Sequence, residues 1–500
     1  MTSIGYTNRT SLQMTMLANM RWQIDDLQRQ LATGKRSDTY AGLGIGRTLD
    51  LEARMRLSRI DAYTTSIDQV SLRVNIMNTA LDRLRVVGQD IRTDVAFPLE
   101  YDLIGNGQTQ AQSLSALRLD ESLSLLNERA GDRYLFSGSA TDTRPTATAK
   151  EILDGNGARA GLKQHTAERL LADRGVGNRG RLMQPASVGS VVTFAEDGAH
   201  PFGMKIAEVT TDFGAAVTPT AGPPASFAID LVGNQPTAGE RVQIRLALPD
   251  GSSVNLELTA TTEDPPPAGS FFIGANETET AENIAVAADA AIQRIVTTEL
   301  TAASAMRAGQ DFFNIDSANP PQRVDGPPFE TASAMRDGTQ ADTVFWYRGD
   351  GAAGDPRQTS VARVDDTIQV AHGARANEDG LRTVVMTAAV FASMTFSEND
   401  PDGRDRYFAI ARRVGAELDG GQGIKRIQAL QTDIAGAQLS ANAAKERLTE
   451  KKASLQGIID EIENVMPEEV GVKLLAMTTR LQATLQTTAM LSQFNLLNFI

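Results

Sequence analysis

Two long segments of the chain carry apolar residues at a regular spacing of three and four. The first runs over 60–95, and the second, over 427–465, is broken only at Lys451. Spacing of this kind, kept up over several heptads, is typical of helices that pack lengthwise on another helix. We therefore predict two long helices, over 45–95 and 422–465, that pack on each other.

The apolar positions of these segments predict a shared helical core. Its expected members are Ile67, Val74, Leu81, Leu84, Leu430, Ile434, Leu448, Leu455 and Ile462.

Apolar residues also recur closer to both ends of the sequence, and no charged residue follows Arg480. Around 491–500 they fall on more than one side of a helix, and a helix that is apolar on several sides must be surrounded. One partner helix from the same chain could not cover it.

The middle of the chain has a different pattern. Pro, Gly, Thr and Ala dominate 145–225, with one helical stretch at 165–173. Strict alternation at 242–248 and 254–258, joined by a Pro-Asp-Gly-Ser turn, predicts a β-hairpin. A strand is expected before it at 226–232 and a covering helix after it at 280–300. A second small β region is expected in the segments 343–350 and 361–373.

These patterns predict a mainly α protein with an elongated coiled helical bundle built from both chain termini and inserted β-containing (α+β) domains at mid-chain. The helical stalk is assigned to 1–145 and 380–500. An inserted α+β domain with Pro/Gly-rich linkers is assigned to 146–340. The segment 341–380 is expected to be a small β region adjoining the stalk.

Composition excludes several kinds of partner. The 48 Lys and Arg residues against 62 Asp and Glu give a net charge of −14, which argues against binding to nucleic acid or an anionic membrane. The absence of cysteine excludes disulfides and cysteine metal sites. The N-terminal segment lacks the apolar run of a cleavable signal, and the last twenty residues are too polar to span a bilayer.

Candidate catalytic or metal-binding residues are few. Gly-Leu-Gly-Ile-Gly at 42–46 has no preceding strand, and we interpret it as a break between two helices. Asp400, Asp402 and Asp405 resemble a calcium loop, but Arg404 takes a position where an oxygen ligand is needed, so a helix-starting turn is expected. The three histidines, His165, His200 and His372, lie far apart in the sequence. We predict no enzymatic activity, no metal site and no cofactor.

Three segments resemble the flagellin superfamily, and most of all its branch of hook-associated proteins that join the flagellar hook to the filament. They are LQRQLATGKR (27–36), GDRYLFSGSATDTRP (131–145) and the charge-free LQATLQTTAMLSQFNLLNFI (481–500). The resemblance covers 1–145 and 340–500 and does not extend to the inserted region.

The resemblance implies a structural subunit of the bacterial flagellum that self-assembles through its terminal helices at the hook–filament junction. The assembly interface that it implies consists of apolar residues near both ends of the sequence: Leu17, Met20, Ile24, Leu27, Leu31, Leu481, Leu485, Leu491, Phe494, Leu497, Phe499 and Ile500. It implies as partners further copies of the chain, other axial proteins (hook-associated proteins and flagellin) and an export chaperone. It also implies an extracellular location, reached through the flagellar type III apparatus without a cleaved signal.

Three alternatives remain. The first is a filament flagellin, which shares the terminal pattern. The second is a cytoplasmic coiled-coil scaffold, which would explain the heptads but not the charge-free end. The third is an enzyme seated in the inserted domain, which would need a pocket with convergent titratable groups.

Overall fold

The computed structural model describes residues 4–96, 101–105, 107–220, 222–316, 319–420 and 423–497; the side chains of 4–10, 13 and 491–497 lie outside this description. About 54% of the structure is helical, and several sheets are present beside the helices. The predicted combination of helices and strands is confirmed at this level.

The helices are α1 (Ile4–Thr33), α2 (Gly46–Ala96), α3 (Gln110–Leu126), α4 (Ala149–Asp154), α5 (Leu162–Arg174), α6 (Glu277–Ile295), α7 (Thr301–Phe313), α8 (Asp379–Ser393), α9 (Gly403–Asp419), α10 (Ile424–Glu463) and α11 (Pro467–Leu497).

The strands are β1 (Leu103–Ile104), β2 (Gln108–Thr109), β3 (Arg129–Ala130), β4 (Arg133–Tyr134), β5 (Ala186–Val188), β6 (Val191–Ala195), β7 (Lys205–Thr211), β8 (Ala216–Thr220), β9 (Ser226–Asp230), β10 (Arg241–Ala247), β11 (Ser253–Thr261), β12 (Ser270–Phe272), β13 (Gln322–Val324), β14 (Met335–Asp337), β15 (Val361–Arg363) and β16 (Gln369–Ala371).

The chain divides into two compact units. Unit 1 consists of 1–69, 363–370 and 439–500, and unit 2 consists of 70–362 and 371–438. Both α2 and α10 contribute to each unit.

Helices α2 and α10 run antiparallel within each unit. In unit 1, Lys452 donates to Asp61 and Lys445 donates to Asp68, both at 2.7 Å. In unit 2, the side-chain amide of Gln438 donates to the Ser71 hydroxyl at 3.1 Å, and a Cβ added at Gly88 would lie 3.4 Å from the Cγ1 atom of Ile424. In these contacts the residue number in α10 rises as the residue number in α2 falls, so the two helices are antiparallel.

The predicted apolar stripe of α2 is buried from Ile60 to Val95 except at Tyr63, which is partly buried. The stripe of α10 is buried from Ile427 to Leu448. Seven expected core residues are therefore buried: Ile67, Val74, Leu81, Leu84, Leu430, Ile434 and Leu448.

The two remaining core candidates, Leu455 and Ile462, are only partly buried. Ile462 faces Gly46 of α2, where even an added Cβ would lie 2.9 Å from its Cγ2 atom. A residue without a side chain brings the two backbones close but cannot cover an isoleucine. Full burial along α10 therefore does not reach Ile462.

The main core of unit 2 lies among two four-stranded sheets and α6. The sheet orders are β12-β11-β10-β7 and β5-β6-β9-β8. The predicted hairpin is confirmed, since β10 pairs antiparallel with β11 from Arg241 opposite Thr259 to Ala247 opposite Ser253. The expected strand at 226–232 is β9, and the expected helix at 280–300 begins as α6 and continues through a π-helical turn at Val296–Leu300 into α7.

The sequence of 145–225 predicted one helix, and the structure contains further elements there. This range holds α4 and the strands β5 to β8, besides the expected helix α5. Strand β8 reads Ala-Val-Thr-Pro-Thr and has no buried residue, so it carries no alternation of apolar and polar positions. Such a strand gives no periodic signal in the sequence.

Of the small β region expected in 343–350 and 361–373, the first segment contains no strand. The segment makes single bridges, from Thr343 to Ala160 and from Tyr347 to Thr146. Trp346 is fully buried and donates from its indole N–H to the Phe313 carbonyl oxygen at 2.9 Å. The segment is held by one large anchored side chain, while β15 and β16 supply the strands of the later part of 341–380.

Several buried charges in unit 2 pair with partners of opposite sign. Arg169 donates to Asp173 at 2.9 Å and to Asp311 at 3.2 Å, and Arg323 pairs with Glu168 at 2.5 Å. Burial nevertheless raises the pKa of Asp311, against the opposing effect of Arg307 and Arg169. A buried pair is costly to break because one partner is then left uncompensated.

Candidate assembly surface

The first and last helices of unit 1, α1 and α11, pack along each other. Helix α1 ends at Thr33, and the next residue, Gly34, has a φ of 69°, the left-handed conformation that commonly closes a helix. Helix α11 begins at Pro467, where a fixed φ suits the first helical position. Glu468 and Glu469 follow in its first turn, where carboxylates favour the positive end of the helix dipole.

Backbone hydrogen bonds join the turn after α1 to the turn before α11. The Arg36 N–H donates to the Glu463 carbonyl oxygen at 2.6 Å, and the Val465 N–H donates to the Gly34 carbonyl oxygen at 3.0 Å. These bonds surround a bridge between Lys35 and Asn464. We call these contacts the turn clip; they place the end of α1 beside the start of α11 and make the two helices antiparallel.

Charged side chains reinforce the turn clip. The Glu463 carboxylate accepts a hydrogen bond from Arg54, and this bond raises the pKa of Arg54. Arg29 contacts Asp26 at 2.6 Å and Asp38 at 3.1 Å, which ties the last turn of α1 to the segment that follows it. The hydrogen bond with Asp26 is the main reason that the pKa of Arg29 is raised.

Of the interface residues predicted in α1, Ile24 is buried within the monomer. Leu17, Met20 and Leu27 are partly buried, and Leu31 is exposed. In α11, Leu481 is partly buried and Leu485 is exposed. The remaining predicted residues lie outside the described side chains: Leu491, Phe494, Leu497, Phe499 and Ile500.

The exposed apolar surface of the helix pair is largely made by residues outside the predicted stripe. Trp22 is 74% exposed and Leu475 is 71% exposed. Trp22 precedes buried Ile24 by two residues, which at about 100° per residue puts it on the opposite face of α1. The exposed large apolar residues described on the two helices are Leu12, Met14, Met16, Trp22, Leu31, Val472, Leu475, Leu485 and Met490.

The sequence contained a signal for these residues. The 3-4 spacing identifies the residues that face the partner helix. In α11 these include buried Val470 and the partly buried Leu474 and Leu481. Large apolar residues off that stripe, such as Trp22 and Val472, have no place in a two-helix seam. Their presence indicates a second surface that the pair leaves open.

Each of the other candidate motifs has a structural role. The glycine-rich segment forms a 3-10 turn at Tyr40–Leu43 between α1 and α2. Asp402 occupies the N-cap position of α9, Asp400 pairs with Arg406, and Asp405 pairs with Arg294 at 2.8 Å. The expected helix-starting turn is therefore confirmed.

The histidines remain separate. His165 lies edge-on to Phe312 with ring centroids 5.0 Å apart, His200 contacts Asp197 at 2.5 Å, and His372 contacts the Ser360 hydroxyl at 3.1 Å. Among the described residues, no three His, Cys, Asp or Glu side chains are grouped as metal ligands. No helix in the described part of the chain is long and apolar enough to cross a membrane.

Unit 2 has a polar cavity of about 460 Å³ between α7 and α8. Two arginines line it, but Arg307 pairs with Asp311 at 2.9 Å and Arg382 pairs with Asp379 at 2.7 Å. Burial raises the pKa of Glu417, which lines the same cavity. The charges of this cavity are mostly matched within the chain, so we base no function on it.

We compared the chain with protein-family models and with curated proteins, and neither comparison produced a match.

Proposed function

We propose that this chain is a structural subunit that assembles with copies of itself through α1 and α11. The observation that carries the proposal is the set of nine large apolar side chains left exposed on these two helices. Large contiguous apolar patches are uncommon on monomers and mark interaction sites. Full burial of one such side chain contributes about 1.5–3 kcal/mol, so neighbouring helices would gain substantially by covering this surface.

The position of the exposed residues favours a surrounded helix pair over a simple dimer seam. Trp22 lies opposite Ile24 on α1, and Val472 lies opposite Val470 on α11. A single flat partner could cover only one side. Several copies packed around each helix pair would cover all of the exposed apolar residues. The elongated coiled bundle expected from the heptad spacing is also part of this proposal.

We infer the biological setting from the resemblance to the flagellin superfamily. The resembling segment 27–36 spans the end of α1 and the turn clip, and the segment 481–500 includes the charge-free part of α11. The chain would then be an extracellular flagellar subunit at the hook–filament junction, in contact with other axial proteins. An export chaperone would cover the apolar helices before assembly.

A filament flagellin is the second candidate, because the same exposed helices would serve it equally well. Location separates the two. Immunogold labelling of the tagged chain in flagellated cells should give one band at the distal end of the hook if it is a junction protein. Decoration along the filament would instead assign it as a flagellin, and confinement to the cytoplasm would contradict both.

A double substitution tests self-assembly directly. Trp22→Ser with Leu475→Ser removes apolar area from the exposed surface, and we expect the concentration needed for association to rise at least tenfold in sedimentation velocity. Thermal unfolding of the monomer should change little, because both side chains are already in solvent.

The matched control is Leu117→Ser with Val176→Ser, which alters two apolar residues that are 66% and 78% exposed in unit 2. This control should associate like the unchanged chain. Equal weakening by both double variants would mean that general hydrophobicity, and not the α1–α11 surface, drives association.

A further inference from the structure

The sheet β12-β11-β10-β7 has an edge that is only partly used. Strand β12 pairs with β11 at Thr259, Ala260 and Thr261, whereas β10 pairs with β11 from Ser253 to Thr259. The first part of β11 therefore has a neighbour on one side only.

The direction in which the N–H and C=O groups of β11 point identifies those that face the edge without a neighbouring strand. The Thr259 N–H donates to the Gly269 carbonyl oxygen on the β12 side at 3.0 Å, and the Ala260 N–H donates to the Glu240 carbonyl oxygen on the other side at 2.8 Å. Successive residues of a strand aim their N–H and C=O groups at alternate edges. Asn255 and Glu257, in step with Thr259, therefore aim theirs at the unused edge.

A groove of about 880 Å³ lies along this edge. One wall is formed by β11 and the proline-rich loop before β12, and the other is a stripe of α6 that includes Val286, Ala287 and Ala290. Val286 is 72% exposed there, and the alanines leave room beside the strand. A strand added at 253–257 would span roughly 16 Å at about 3.3 Å per residue, with alternate side chains pointing at α6.

The charges of the groove indicate its occupant. Three carboxylates line it, from Glu257, Asp264 and Glu279, against one arginine, Arg294. Arg294 is paired with Asp405 at 2.8 Å, and Glu257 is partly balanced by Arg241 at 2.8 Å. A second copy placed edge to edge would bring these carboxylates together, whereas a basic segment would complement them.

We propose that this groove binds an extended peptide segment of a partner protein, with small apolar residues alternating with lysine or arginine, as an added strand on β11. The backbone bonds to Asn255 and Glu257 supply the affinity, and the alanine stripe and carboxylates supply the selectivity. This site is separate from the α1–α11 surface and does not depend on the assembly proposal.

A blocked heptapeptide of alternating lysine and valine tests the site on the full chain. By fluorescence anisotropy it should bind at least tenfold more tightly than the matching glutamate–valine peptide. It should also bind at least tenfold more tightly than a version N-methylated at alternate residues, which cannot form the strand bonds. Hydrogen exchange at the amides of Asn255 and Glu257 should slow on binding.

Two variants locate the binding. Ala290→Trp fills the groove from an exposed position and should weaken the lysine–valine peptide at least tenfold, while Glu282→Trp on exposed α6 surface outside the groove should not. Val286→Lys places a positive charge beside the lysines of the bound peptide and should weaken peptide binding as well. This variant gives a second test if the tryptophan disturbs the fold.

The proposal is wrong if the lysine–valine peptide does not bind the chain, or if the N-methylated peptide binds as tightly as the unmodified one. It is also wrong if the Ala290→Trp variant binds the lysine–valine peptide as tightly as the original chain does. Self-association of the chain that is lost in Ala290→Trp would assign the groove to a second copy and would also overturn it.

Discussion

Leu81 is fully buried in α2, whereas Leu72 on the same helix is 58% exposed. Leu81→Ala should lower the free energy of unfolding by about 2–5 kcal/mol, because it removes apolar contacts and leaves a cavity. Leu72→Ala should change it by less than about 0.5 kcal/mol. Urea unfolding followed by circular dichroism measures both, and similar losses would show that the predicted stripe does not distinguish core from surface.

Because His165 is buried, the free energy of unfolding should depend on pH. Burial, assisted by the nearby Arg323, lowers its pKa from 6.5 to about 3. Between these values the unfolded chain binds a proton that the folded chain does not. The free energy of unfolding should therefore fall as the pH drops through this window, by up to about 1.4 kcal/mol per pH unit, and level off below pH 3.

The variant His165→Gln isolates this contribution, since the carboxylates that titrate in the same window are unchanged. Its unfolding free energy, measured from pH 7 to pH 4, should fall less steeply than that of the original chain. Parallel curves for the two proteins would mean that the folded protein accepts the proton on His165 without cost.

At the scale of elements, the turn clip depends on a backbone conformation that only glycine adopts easily. Gly34 has a φ of 69° and open space around its Cα, so Gly34→Ala adds strain of about 1 kcal/mol without a clash. The amides of Arg36 and Val465 should then exchange hydrogen about fivefold faster.

Gly457→Ala is the matched comparison, because Gly457 lies inside α10 and also has open space around it. Alanine there should stabilise the helix by about 0.5–1 kcal/mol. The two glycine substitutions therefore have opposite expected signs. Faster exchange at the turn clip in both variants would show that the conformation of Gly34 is not what holds it.

The sequence predicted the elements whose buried side is regular. The 3-4 spacing gave 45–95 for the helix that spans Gly46–Ala96, and strict alternation gave the β10–β11 hairpin. Strand β7 escaped prediction because its buried residues, Ile206 and Val209, are three positions apart. A bulge causes this spacing: Ile206 pairs with Leu246 and Val209 with Ile244, so the sheet absorbs one extra residue.

The candidate surface was only partly predictable for a related reason. A periodic stripe identifies residues that face a partner helix, as it did for Ile24. It cannot say which apolar residues stay exposed until the pairing of α1 with α11 is known, and this pairing joins segments more than 400 residues apart. Trp22 lies off the stripe in the sequence, but only the paired helices show that its side chain stays exposed.

For the whole molecule, we expect monomer stability and assembly to be separable. Deleting 485–500 removes exposed Leu485 and Met490 but leaves α2, α10 and the turn clip intact. The truncated chain should keep its helical content and melting temperature, yet it should not self-associate. A melting temperature lowered by several degrees, together with normal association, would assign this segment to the monomer's core.

The turn clip and the α2–α10 pairing also set an order of events during synthesis. Residues up to Gln69 leave the ribosome long before their partners from Leu439 onward, so unit 1 cannot close until those later residues have been synthesised. The β10–β11 hairpin of unit 2 needs only its neighbours in sequence and can form early. Between the synthesis of these two segments the nascent chain therefore displays helix α1 without its partner α11, and under the proposed function this is the interval in which an export chaperone would bind it.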